Sequence, residues 1–119
     1  MRPTVRHVAA PALALLALVA PAQAAAPSRL LVEASEFRFN LSRTTVKPGP
    51  AIVQLAIRGE DPHDLRLRKL GAPPRARIAE TSPGAVAEWR GKLTRGRWEL
   101  YCSLPGHKQA GMRAVLTVR

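Results

Sequence analysis

Apolar and polar residues alternate along most of the chain after residue 29, with the two-residue period of β-strands rather than the 3.6-residue period of helices. The clearest segment is Ala51–Arg58, in which every odd-numbered residue is apolar. Turns rich in proline and glycine, such as Lys47–Pro50, separate these segments. The pattern predicts strands over Leu30–Leu41, Thr44–Val46, Ala51–Arg58, His63–Arg68, Val86–Lys92, 97–102 and Met112–Val118.

Two segments are less regular than the others. Within Leu30–Leu41 the apolar residues change from even to odd positions, and we expect a β-bulge near Ser35 and Glu36. Gly71–Gly84 contains three prolines and little periodicity, which predicts a surface loop with a short helical turn around residues 76–79. About seven to eight short strands without a long helix predict an all-β fold, an antiparallel sandwich.

The first 24 residues have the composition of a secretory signal peptide. Arg2 and Arg6 form a basic start, Ala9–Ala20 is apolar, and Ala22-Gln23-Ala24 has the small residues of a cleavage site. The alternative is a retained membrane anchor, but the apolar run is shorter than the roughly 20 residues that a spanning helix needs. We therefore expect cleavage after Ala24, a single folded domain over residues 25–119, and a periplasmic or secreted protein.

The chain is strongly basic, with 19 Lys and Arg against 8 Asp and Glu and a formal net charge of +11. The basic residues are scattered and lack the interleaved aromatic residues that single-stranded nucleic-acid platforms use, so we expect no nucleic-acid partner. The charge is typical of a solvated surface, or of steering toward an acidic partner protein or an anionic membrane. We expect a monomer.

The candidate chemistry lies in Gly96–Met112, where a predicted strand leads into a tight loop. This loop contains Cys102, His107 and Met112, with four residues between each neighbouring pair. A thiolate, an imidazole and a thioether are the soft donors of a mononuclear copper electron-transfer site. Such a site needs a second imidazole, and beyond the predicted signal peptide only His63 remains to supply it. His63 shares the parity of apolar residues at the start of its predicted strand.

The donors also have alternative roles, and a lone histidine on an apolar face, such as His63, is usually a satisfied core residue. Cys102 could be a buried, inert thiol or a nucleophile assisted by a histidine, and Met112 could fill the core. A thiol hydrolase would also need an oxyanion hole and a group that orients the histidine, and the sequence indicates neither. Structural zinc sites prefer paired cysteines at close spacing, whereas this chain has one cysteine.

The ligand segment resembles that of the cupredoxins, the small blue type 1 copper proteins, and most closely that of plastocyanin. Plastocyanins have the segment Gly-x-aromatic-x-aromatic-Tyr-Cys-Ser-Pro-His-x-x-x-Gly-Met, which Gly96–Ser103 and Ala110–Met112 match with Leu100 in place of one aromatic residue. The Cys102-to-His107 spacing is two residues longer, similar to the ligand loops of auracyanin- and rusticyanin-type members. Further similarities upstream are Phe37–Phe39, Val46–Gly49 and Pro62–Leu65.

The resemblance implies a Greek-key β-sandwich with one type 1 copper per chain. It assigns His63, Cys102 and His107 as equatorial ligands and Met112 as the axial ligand. The function that follows is a one-electron carrier between redox partners, not an enzyme. The alternative is a periplasmic copper-binding or copper-delivery protein with the same ligands, but delivery favours several methionines and this site offers one.

The resemblance also implies residues around the copper ligands. His107 would lie at the surface within an apolar patch, and Tyr101 would provide a second electron route beside Cys102. Many cupredoxins have asparagine after the first histidine ligand, where its side chain links the two ligand loops. This chain has Asp64 there, so whether the link forms is open. The neighbouring apolar residues expected around His107 are Pro62, Leu104 and Pro105.

Overall fold

The computed structural model describes residues 1–119 and contains nine β-strands and no helix. Residues 1–27 form no regular secondary structure, and no helix is long and apolar enough to cross a membrane. The strands are β1 (Ser28–Ser35), β2 (Arg38–Leu41), β3 (Thr45–Val46), β4 (Gly49–Ile57), β5 (His63–Lys69), β6 (Ala76–Thr81), β7 (Val86–Leu93), β8 (Gly96–Tyr101) and β9 (Arg113–Val118).

The strands form two sheets, one in the order β2-β1-β4-β7 and the other in the order β3-β9-β8-β5-β6. The predicted all-β sandwich is confirmed, but both sheets are mixed. β1 runs parallel to β4, and β3 runs parallel to β9, so the prediction of a purely antiparallel sandwich is wrong for these two pairs. Alternation of apolar residues is the same for either strand direction, so the sequence pattern could not reveal these pairings.

The predicted long first strand is two strands joined by a tight hairpin. β1 and β2 pair antiparallel around a turn at Glu36 and Phe37, with Ala34 opposite Phe39. Residues opposite each other lie on the same face of a sheet, and in this register an even residue always faces an odd one. The change of parity that predicted a bulge is therefore produced by the reversal of the chain, and the bulge prediction is wrong.

The second irregular segment contains a strand that the sequence pattern did not predict. β6 pairs antiparallel with β5, and Ala76 and Ile78 point into the core with 7% and 5% of their surface exposed. The helical turn predicted around residues 76–79 is therefore wrong. Only two apolar residues in alternation mark this edge strand, too few for a pattern to distinguish it from a loop.

The hydrophobic core lies between the two sheets and is built from inward-facing residues of both. Val32 and Leu55 of one sheet and Leu67 and Leu100 of the other are completely buried. On β8 the same inward parity continues to Cys102. At one pole of the sandwich, the last buried side chains of the core therefore carry polar or sulfur atoms.

Candidate metal centre

Three of the predicted ligands converge at this pole. His63 is the first residue of β5, Cys102 directly follows β8, and His107 lies in the loop that leads to β9. Their candidate ligand atoms all lie within 4.8 Å of one another. The Nδ1 atoms of His63 and His107 are 3.2 Å apart, and the Cys102 Sγ is 3.5 Å from the His107 Nδ1. The structure thus brings together side chains that are 44 residues apart in the chain.

Met112, the fourth predicted ligand, directly precedes β9 and is completely buried. Two backbone hydrogen bonds hold it beside the other residues. The Met112 N–H donates to the His107 carbonyl at 3.1 Å, and the Cys102 N–H donates to the Met112 carbonyl, also at 3.1 Å. The loop closes on itself, so the positions of Cys102, His107 and Met112 depend on each other.

The four residues differ in their contact with solvent. His63, Cys102 and Met112 have none of their surface exposed, whereas His107 is partly exposed. His107 is therefore the only one of the four that reaches the protein surface. The predicted apolar neighbours lie at intermediate or exposed positions, as a surface patch requires: Pro62, Leu104 and Pro105.

Asp64 links the two ligand loops. Its side chain is 5% exposed, and its Oδ1 accepts a 2.6 Å hydrogen bond from the Ser103 N–H. Its Oδ2 accepts a hydrogen bond from the Ser103 hydroxyl and lies 3.4 Å from the Arg66 Nε. The carboxylate thus joins the residue after His63 to the residue after Cys102, and the substitution of aspartate for asparagine leaves this link in place.

The surroundings of the Cys102 thiol act on its ionisation in opposite directions. Burial raises the pKa of Cys102, while the backbone N–H groups of Asp64 and Leu104 act in the opposite direction by favouring the thiolate. Metal binding would displace the proton and leave a thiolate next to two imidazoles. These soft and intermediate donors suit copper, and no carboxylate belongs to the cluster, which disfavours magnesium or calcium.

The β1–β2 hairpin contributes two residues that the sequence analysis did not assign to the site. The Glu36 Oε1 lies 3.2 Å from the His63 Nε2. The adjacent Phe37 packs edge-on against His107, with 4.9 Å between the ring centroids. The change of parity marked this position in the sequence, but only the hairpin places its turn at the metal pole.

Hydrogen bonds hold the Glu36 carboxylate in its charged form. The Asp61 N–H donates to Oε1 at 2.8 Å, and this bond is the main reason that the pKa of Glu36 is lowered from 4.5 to about 2. Desolvation opposes the shift, and the N–H groups of Glu36 and Glu60 and the side chain of His63 support it. The residue next to His63 is therefore an anion across the physiological pH range.

Tyr101 lies beside Cys102, is partly exposed, and is flanked by two cations. The Lys108 Nζ lies 4.3 Å and the Arg68 guanidinium 5.3 Å from the centre of its ring. Glu99 binds both cations, at 2.9 Å from Lys108 and 2.8 Å from Arg68. The hydrogen bond from Lys108 is the main cause of the lowered pKa of Glu99, and Arg68 adds to it. Glu99 thereby ties the ligand loop to the outer face of the sheet.

Comparison with solved structures places this architecture among known ones. The auracyanin from the photosynthetic bacterium Roseiflexus castenholzii superposes with a TM-score of 0.65 at 16% identity, covering 80% of this chain and 99% of that one. Auracyanin A, a "blue" copper protein from Chloroflexus aurantiacus, gives 0.64 at 16% identity over 79% of this chain and all of its own. An azurin from Methylomonas sp. strain J gives 0.62 at 17% identity, with 79% and 99% covered.

These solved structures are cupredoxins, and the chain has their fold. The resemblance noted in the ligand segment is thus confirmed at the level of architecture. No protein-family model matches the sequence. A comparison with curated proteins found no match.

Proposed function

We propose that this chain binds one copper ion through His63, Cys102, His107 and the axial Met112, and carries single electrons between redox proteins. The observation that carries the proposal is the cluster of two imidazole nitrogens and a thiol within 4.8 Å of one another at the pole of a cupredoxin fold. A bound copper ion would supply a one-electron couple, Cu(II) and Cu(I).

The protein's own contribution is to hold the donors still and exclude water. Three of the four proposed ligands are completely buried, and the strands that carry them are fixed by the ladders β5–β8 and β8–β9. A donor set held in place changes little when the metal gains or loses an electron, which keeps the barrier to electron transfer low. His107 reaches the surface and is the shortest route to a partner, and Tyr101 offers a second route through its covalent neighbour Cys102.

We infer that the redox partner presents acidic groups to the Tyr101 surface, defined here as Arg68, Tyr101 and Lys108. Both cations lie over the tyrosine ring, and all but two of the 19 Lys and Arg residues lie after residue 24, against 8 Asp and Glu. Complementary charges would accelerate association at low salt, and added salt would screen them.

An anionic one-electron oxidant tests this surface without knowledge of the partner. We expect the rate at which hexacyanoferrate(III) oxidises the reduced copper protein to fall as ionic strength rises, and to fall at low salt in Lys108→Gln. The measurement is the stopped-flow appearance of the visible band as Cu(I) is oxidised to Cu(II). Lys92→Gln is the matched control because Lys92 lies on β7, opposite Pro50 and at the other end of the sandwich. Equal rates in the two variants would contradict a role for the Tyr101 surface.

We further propose that residues 1–24 are a signal peptide and that the domain 25–119 acts as a monomer in the periplasm or outside the cell. The basic start, the apolar run and the Ala22-Gln23-Ala24 site support this. Mass spectrometry of the protein exported by a bacterial host would show Ala25 as the first residue if the proposal is correct.

The decisive experiment on function is the visible spectrum of residues 25–119 after one equivalent of Cu(II) is added. We expect intense blue or green absorption that ascorbate bleaches and an oxidant restores. A colourless protein that binds copper weakly would contradict the electron-carrier proposal and favour copper delivery. A protein that binds no copper would remove both functions.

A further inference from the structure

We propose that Glu36, at the tip of the β1–β2 hairpin, is a positioning residue that orients His63 and makes it a stronger ligand for the oxidised metal. The inference rests on the proposed function, because it assigns a role to Glu36 in a centre that binds copper. The sequence resemblance assigns nothing to this position. The geometry alone points to it, through the 3.2 Å separation of the Glu36 Oε1 and the His63 Nε2.

The first step is that the two nitrogens of His63 face different partners. Nε2 faces the Glu36 carboxylate, whereas Nδ1 lies 3.2 Å from the Nδ1 of His107. A carboxylate only accepts hydrogen bonds, so the proton of neutral His63 resides on Nε2. The lone pair then lies on Nδ1, which points into the donor cluster with Cys102. Glu36 thus selects the form of His63 that can bind a metal.

The second step is that Glu36 is itself held in place. The Asp61 N–H donates to its Oε1 at 2.8 Å. The carboxylate packs directly over Gly59, where a Cβ atom would overlap it, so only glycine leaves room for it. Gly59 has no left-handed backbone angle, so its importance here lies in this close approach. The loop between β4 and β5 therefore shapes a seat for the carboxylate.

The third step concerns charge. Histidine ligands that donate their second N–H to a carboxylate are more basic, and loss of such a partner typically costs about 10–100-fold in metal affinity. A fixed negative charge beside a buried ligand also favours the more highly charged metal state. Glu36 would therefore stabilise Cu(II) relative to Cu(I) and lower the reduction potential. The remaining ligand at the surface, His107, contacts Phe37 and has no carboxylate partner.

Three variants separate these effects. Glu36→Gln keeps a hydrogen-bond acceptor and removes the charge, so we expect copper affinity near that of the wild type and a higher reduction potential. Glu36→Ala removes both, and we expect copper affinity to fall by about 10–100-fold. Gly59→Ala keeps the charge but occupies the seat, so we expect a loss of affinity similar to that of Glu36→Ala. Cu(II) affinity is measured by competition with a chelator of known affinity, and the potential by voltammetry.

Glu60→Gln is the matched control, because Glu60 is an exposed carboxylate in the loop between β4 and β5, and its side chain makes no hydrogen bond to His63. It removes the same charge, and we expect a smaller change in potential than for Glu36→Gln. The side-chain nitrogen resonances of His63 in the copper-free protein give an independent readout. The Nε2 signal should move in Glu36→Ala and stay in place in Glu60→Gln. Circular dichroism checks that each variant is folded.

The outcomes distinguish this inference from the proposed function. If the wild type binds copper, but Glu36→Ala binds it as tightly and Glu36→Gln shifts the potential no more than Glu60→Gln, the inference is wrong and the copper site stands. If the wild type binds no copper, the proposed function fails. The His63 resonances then still decide whether Glu36 orients the imidazole.

Discussion

Cys102→Ser is expected to abolish the intense visible absorption of the copper-loaded protein. Absorption of this strength comes from charge transfer between a thiolate and Cu(II). A serine hydroxyl does not ionise at neutral pH and is not a soft donor to copper. Cys102 is the only cysteine of the chain and is completely buried, so no other thiol can replace it. Spectra of the wild type and the variant, each with one equivalent of Cu(II), give the answer.

Ser103→Ala is the control for disturbance of the loop. It removes a hydroxyl that donates to Asp64 but retains the thiolate, so the absorption should remain with at most a small shift in wavelength. Circular dichroism of the copper-free Cys102→Ser protein shows whether the fold survives. If the variant does not fold, His107→Ala replaces it, since His107 is partly exposed and its loss leaves the core intact. Undiminished absorption in folded Cys102→Ser would exclude the proposed copper–thiolate centre.

Asp64→Ala is expected to lower the free energy of unfolding of the copper-free protein by about 1.5–3 kcal/mol, the range for hydrogen bonds to charged groups. The side chain is 5% exposed and accepts two hydrogen bonds from Ser103, so its removal breaks the link between the two ligand loops. It also leaves Arg66 without its acidic neighbour. Urea unfolding followed by tryptophan fluorescence measures the difference, because Trp98 is buried in the core.

Asp64→Asn separates the hydrogen bond from the charge at this position. Asparagine retains an oxygen that can accept from the Ser103 N–H, so we expect a smaller loss of stability than in Asp64→Ala. Removal of a negative charge beside the ligands should raise the reduction potential of the copper-loaded protein, for the same electrostatic reason as in Glu36→Gln. If Asp64→Asn destabilises the protein as much as Asp64→Ala, the charge rather than the link to the Ser103 backbone provides the stability.

Local patterns predicted most of the strands and the ligands that lie close together in sequence. Cys102, His107 and Met112 occupy one loop, and their spacing alone indicated a metal site. The strands β4 and β8 were predicted nearly to their ends, since β4 alternates over many apolar residues and the parity of Trp98 and Leu100 on β8 continues to Cys102. The edge strand β6 was missed, because its two buried apolar residues, Ala76 and Ile78, lie in a segment with three prolines and little periodicity.

Contacts between different segments of the chain could be identified only from the structure. The parallel pairing of β1 with β4, the hairpin turn at Glu36 and Phe37, and the seat over Gly59 all depend on how strands are arranged in space. The link from Asp64 to Ser103 spans 39 residues, and aspartate at this position did not by itself indicate whether it forms.

The sequence by itself determined the β class of the domain and the chemical identity of the donors, because these follow from residue types and from a period of two. Tertiary structure decided that the Nδ1 of His63 faces the cluster and that the Glu36 carboxylate faces its Nε2. The physical reason is that the chemical type of a ligand is a property of the residue itself, whereas its orientation depends on hydrogen bonds to groups remote in sequence. Such bonds exist only where the packed sheets bring these groups together.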